Sequence, residues 1–136
     1  MIAAVCAWHE HHADAAGEIT RRLRAEEPMF IAAPAMVESL AVLTRLPPPH
    51  RMAPATALAL IEGSFLRQAR IIALDGRSYR ALVHRLAETQ ITGGRVYDAV
   101  IAECALRERD MALLTFNEYD FSPFAGRGLT IVVPGR

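Results

Sequence analysis

Four short apolar runs punctuate this chain: MFIAA at Met29 to Ala33, IIAL at Ile71 to Leu74, MALLT at Met111 to Thr115 and LTIVV at Leu129 to Val133. Each is too short for a stable helix. None shows the strict in-out alternation of a strand with one wet face, and continuous apolar runs of this length suit strands covered on both faces. The segments between them have helical length and pattern. The order reads helix, strand, helix, helix, strand, helix, helix, strand, strand. That alternation predicts an α/β fold with a buried, mostly parallel central sheet flanked by helices in three layers.

The helical segments have their own signals. Residues 2 to 26 are rich in Ala, Leu, Glu and Arg, with Ala15, Ile19 and Leu23 four apart, which predicts one long helix. Pro34 suits the first turn of the next helix, which carries Val37, Leu40, Ala41 and Leu43 and must stop before Pro47-Pro48-Pro49. Pro54 opens a third helix, reaching about Arg70. Asp75-Gly76 turns the chain, and Ser78 is the expected N-cap of a helix to about Gln90. Gly93-Gly94 breaks the chain again before a helix from Val96 to about Arg109, with Val100, Ile101, Cys104 and Ala105 on one face.

The 136 residues fit one domain. With 52% hydrophobic and 22% charged residues, the chain can build a core without disulfides or a structural metal. No apolar run is long enough to span a membrane. The opening MIAAVCAWHEHHADA lacks a basic secretory n-region, so a cytoplasmic protein is expected. Cys6 and Cys104 lack metal-type spacing and read as reduced core residues. The formal charge is zero and all fifteen basic residues are Arg. There is no global field for nucleic acid, so any RNA binding must rest on local arginine clusters, whose forks match phosphate oxygens.

In parallel sheets, ligands gather beyond the carboxyl ends of the strands. Glu38 follows the MFIAA strand, Asp98 lies in the first turn of the helix after Gly93-Gly94, and Asn117 and Asp120 follow MALLT. Three segments thus deliver oxygen donors to one expected edge. Clustered carboxylates repel, and a hard cation with oxygen ligands, magnesium or manganese, relieves that repulsion. The same residues also read as a helix-dipole acid at Asp98 and a surface charge at Glu38.

The stretch PAMVESLAVLTRLPPPHRM, with Glu38, resembles the second acidic motif of PIN domains. GGRVYDAVIAECAL, with Asp98, resembles the third, and LLTFNEYDF the fourth; LTIVVP also matches. The similarity runs in order from about residue 8 to 134 and points to the VapC-type toxin ribonucleases. It implies a single PIN-like domain over residues 1–136 and an endoribonuclease dependent on Mg2+ or Mn2+. It also implies an RNA substrate, a small antitoxin partner and a homodimer. Glu38, Asp98 and Asp120 are the implied catalytic acids, with Asn117 or Asp120 completing the metal site beside Glu38 and Asp98. Thr115 is the implied supporting hydroxyl.

One motif departs from the family. PIN domains open with a strand that ends in a metal-binding aspartate. Here no Asp precedes Asp14, which sits within the helical pattern. The family's first strand lies in the middle of the sheet, so its loss leaves two ladder edges unpaired. The expectation is either a start upstream of Met1 or a degenerate copy with poor cleavage. The alternative function is a non-catalytic PIN-like protein that binds an antitoxin or RNA.

Other features are weaker. Trp8-His9-Glu10-His11-His12 is not HExxH, since Ala13 stands where the second His is needed. His9 and His12 could share a helix face, but two histidines without a third ligand read as helix surface. Arg21, Arg22 and Arg24, and Arg77, Arg80 and Arg85, read as helix faces paired with Glu18, Glu26 and Glu88, or as phosphate contacts. Leu58, Ile61, Phe65 and Leu66 recur at helical spacing and are the expected dimer face.

Overall fold

The computed structural model describes residues 1–136. Its elements are α1 (Ile2–Val5), α2 (His12–Arg24), β1 (Phe30–Ala32), α3 (Ala33–Arg45) and α4 (Pro54–Ile61). A π turn at Glu62–Leu66 leads to β2 (Arg70–Ile72), α5 (Gly76–Glu88), α6 (Arg95–Ala105), β3 (Ala112–Leu114), α7 (Glu118–Ala125) and β4 (Thr130–Val132). The chain divides into two compact units. Met1–Ile71 with Gly135 forms one, and Ile72–Pro134 with Arg136 the other.

The α/β class holds. The strands pair as two two-stranded sheets, β1 with β2 and β3 with β4. β3 and β4 run parallel, with Leu113 opposite Ile131. The strands are also less covered than their apolar runs suggest. All three residues of β3 are half-buried, and in β2 Ile71 is 52% exposed.

In the first unit, the expected single helix over residues 2 to 26 is two. After α1 the chain becomes extended at Cys6, which places that side chain in the core at 1% exposure. Tight turns follow, with the His9 N–H donating to the Cys6 carbonyl and the His12 N–H to the His9 carbonyl. Burying the thiol thus interrupts a helix that composition alone would continue. Pro34 takes the first turn of α3 as expected, where its missing N–H costs nothing. Cys6, Leu43, Ala57 and Ile61 form the centre of this unit's core, with Met36, Leu40, Met52 and Leu66 packed around them. The third helix ends regular α geometry at Ile61, just before Gly63, whose backbone freedom weakens the helix. The π turn closes with the Arg67 N–H on the Glu62 carbonyl, and it still buries Phe65.

In the second unit, the cap of α5 is Asp75 and not Ser78. The Asp75 carboxylate accepts the Ser78 N–H at 2.7 Å, so the helix starts at Gly76. Leu82 and Leu86 face inward from α5, and α6 buries Ala99, Val100, Ala102, Cys104 and Ala105. α6 ends at Ala105, short of Arg109. α7 was not expected, because Pro123 lies inside it. Pro123 has no N–H to give the Tyr119 carbonyl one turn back. The Ser122 hydroxyl bonds that carbonyl instead, at 2.8 Å, and the helix survives with Phe121 and Phe124 buried.

Candidate active site

The second unit carries most of the candidate residues. β3 leads to Thr115, whose N–H bonds the Val132 carbonyl at 3.0 Å and so prolongs the ladder. The Thr115 hydroxyl accepts the Asn117 N–H at 3.0 Å and shapes the turn into α7. Asn117 is the N-cap of α7. Its side-chain amide donates to Asp120 Oδ2 at 2.6 Å. Asp120 lies in the first helical turn, where the helix dipole favours an acid.

The other oxygen of Asp120 faces Arg95 Nε at 3.4 Å. Arg95 is the first residue of α6, and α6 packs against α7. Asp98 is half-buried and stands three residues after Arg95 in the same first turn, hence on the same helix face. One arginine therefore links the start of the Asp98 helix to the start of the Asp120 helix. Sequence reasoning missed it. The available signal was an Arg and an Asp at i, i+3 directly after Gly93-Gly94.

Glu38 belongs to the first unit, on α3. The residue is exposed, as is Val37. The buried member of this turn is Ser39, whose hydroxyl donates to the Ala35 carbonyl at 2.7 Å.

Within either unit, no three His, Cys, Asp or Glu side chains are grouped to hold a metal ion. Donor chemistry fits magnesium or manganese, because the candidate groups are all oxygen ligands. Donor number does not yet fit within the second unit. There the candidate carboxylates are Asp98 and Asp120, and both Asp120 oxygens already face protein donors.

The other sequence features resolve as structure. His12 Nδ1 lies 2.9 Å from the Ala3 carbonyl, and His9 Nδ1 accepts the His11 N–H at 3.1 Å. These contacts knit the turn between α1 and α2. Trp8 stacks on His50, ring centroids 4.1 Å apart. Cys6 and Cys104 are both buried free thiols, and burial pushes each thiol pKa up. Neither is set up as a nucleophile. In the first arginine cluster, Arg21 and Arg22 both bond Glu18, and Arg22 also bonds Glu27 at 2.6 Å. Arg85 pairs with Glu103 at 2.5 Å. The Arg127 guanidinium bonds the same Glu103 oxygen. No helix is long and apolar enough to cross a membrane.

The PIN domain family matches residues 1–126, and the chain belongs to that family. Within it the likeness is to VapC-type proteins. The chain is 40% identical over 101 residues to Ribonuclease VapC40 of Mycobacterium tuberculosis, in strains CDC 1551 / Oshkosh and ATCC 25618 / H37Rv, covering 74% of this chain and 69% of that protein. It is 41% identical over 75 residues to Ribonuclease VapC27 of strain H37Rv, covering 55% and 53% of the two chains. No solved structure matches.

Proposed function

We propose that this chain is a VapC-type endoribonuclease, the toxin of a toxin–antitoxin pair, acting on RNA with Mg2+ or Mn2+. The observation that carries the reading is the pairing of two acidic helix starts, Asp98 on α6 and Asp120 on α7, joined by Arg95 at 3.4 Å from Asp120. They stand in a chain 40% identical to a protein named as a ribonuclease. Glu38, Asp98 and Asp120 are the proposed catalytic acids and metal ligands. Asn117 is a further oxygen donor, or the residue that orients Asp120. Thr115 fixes the Asn117 backbone.

When bound, the cation neutralises the scissile phosphate and lowers the pKa of its attacking water. The chain's own part is to hold Asp98 and Asp120 on helix starts, whose dipoles offset their neighbouring charge, and to keep Arg95 beside them for phosphate. The proposed partners are RNA, a small antitoxin of the VapB kind and a second copy of the chain, in the cytoplasm.

A second reading is a PIN-like protein that binds RNA or an antitoxin without cutting it. It is favoured by one observation: no Asp precedes Asp14, so the family's opening aspartate is not among these residues. The test is cleavage of a structured RNA. Slow Mg2+- or Mn2+-dependent cutting is expected, abolished by EDTA and lowered at least about tenfold in Asp98→Asn, the least that loss of a metal-supporting group costs. Cutting that ignores EDTA or Asp98→Asn would refute the assignment. RNA binding without cutting would select the second reading.

A further inference from the structure

Tyr119 is the most exposed large hydrophobic residue in the chain, at 78%. It sits on α7, one residue before Asp120 and two after Asn117. The Arg95 guanidinium lies 5.9 Å from its ring centroid while also facing Asp120. A strongly exposed aromatic ring with a cation held over one face leaves its other face for a flat base and offers the cation to the adjacent phosphate. Bases stack on aromatic rings whatever their identity, and a guanidinium pairs with phosphate oxygens through its fork.

We infer that Tyr119 and Arg95 form a one-nucleotide platform on which an unpaired base of the RNA stacks, with its phosphate held by the Arg95 guanidinium beside the starts of α6 and α7. The assignment rests on the ribonuclease reading above for its ligand class. It names the residues that would hold one nucleotide, and the base must be unpaired, because a paired base cannot stack on a side chain without breaking its pairing. The ion pair with Asp120 holds the guanidinium at the platform in the free protein, so part of the cost of ordering a long side chain is already met. The second very exposed tyrosine provides an internal control. Tyr97 is 68% exposed, but it is two residues from Arg95, about 200° around α6. It shares neither the ring contact nor the face.

The test is fluorescence anisotropy with a short unpaired RNA carrying 2-aminopurine, in EDTA so that no cutting intervenes. Tyr119→Ala is expected to weaken binding about tenfold and to abolish 2-aminopurine quenching. Tyr119→Phe should restore both, and Tyr97→Ala should leave both unchanged. Arg95→Gln should reduce the salt dependence of binding by about one counterion. A duplex of the same sequence should bind more weakly and show no sensitivity to Tyr119. The inference is overturned if Tyr119→Ala binds as the parent does, if Tyr97→Ala loses as much, or if the parent does not bind unpaired RNA. It is also overturned if Tyr119→Ala spares RNA binding and converts a dimer to a monomer in sedimentation, which would make the ring a protein contact. Tyr119-dependent binding without cleavage would leave the platform standing while the ribonuclease reading fails. Cleavage with an unchanged KM in Tyr119→Ala would do the reverse.

Discussion

At the level of single residues, the acids separate by what faces them. Glu18 lies on α2 between two arginines. Hydrogen bonding to Arg21, reinforced by Arg22, holds its carboxyl down at about 2, below the ordinary 4.5. A carboxyl depressed in the folded state adds stability above its unfolded pKa, and that stability is lost as pH falls toward the folded value. The contribution should therefore be complete above about pH 4.5 and fade toward pH 2. Its size should not exceed about 1 kcal/mol, because exposed pairs are screened by water and salt. Urea midpoints compared at the two ends of this window should fall less in Glu18→Gln than in the parent. Equal slopes for the two proteins would remove Glu18 from the acid response. The pairing with Arg21 and Arg22 was legible as i, i+3 and i, i+4 spacing. The true cap of α5 was less so, because Asp75 and Ser78 are both good cap residues and only the bond to the Ser78 N–H decides between them. Asp98, Asn117 and Asp120 could be picked out from their positions after apolar runs. Arg95 was signalled only by its i, i+3 spacing to Asp98 and Tyr119 by nothing, since the sequence does not say that the starts of α6 and α7 meet.

Among the elements, helix ends were the least legible and helix existence the most. α2, α3, α5 and α6 follow apolar periodicity and Pro or Gly signals. α7 hid behind Pro123, whose cost is offset by the Ser122 hydroxyl. The break after α1 comes from burial of Cys6, a tertiary effect that local propensity does not carry. Ties between elements were likewise invisible in the sequence. Glu103 on α6 accepts Arg85 from α5 and Arg127 from the segment after α7, with its side chain only 14% exposed. Removing the shared acceptor leaves two guanidinium groups without their partner, so Glu103→Ala should cost about 1–2 kcal/mol in a urea melt. Arg85→Ala should cost less, because Glu103 keeps Arg127. If the double variant Arg85→Ala/Glu103→Ala lost the full sum of the two single changes, the pair would not be coupled.

For the molecule as a whole, the remaining question is self-association, because the residues expected to drive it are mostly spoken for. Of Leu58, Ile61, Phe65 and Leu66, the middle two are buried in their own unit and Leu66 packs against its core. Leu58 alone is strongly exposed, at 46%. Helical spacing pointed to an apolar face but could not say how much of it the protein's own core would consume. α5 offers a second apolar strip: Tyr79 and Val83 are one turn apart and 38% and 60% exposed, while Leu82 and Leu86 point inward. With zero formal charge, repulsion between copies is weak and apolar contact can dominate. A dimer through this strip buries Val83, and a fully buried side chain of that size contributes about 1.5–3 kcal/mol. Val83→Glu also places a charge there, so dimerisation should weaken at least about tenfold, the equivalent of 1.4 kcal/mol. Leu58→Glu tests the first unit in the same way. In sedimentation at micromolar concentration the parent should be dimeric and at least one variant monomeric, with circular dichroism unchanged. A monomeric parent would refute the dimer outright. A dimer indifferent to both substitutions would place the interface on another face.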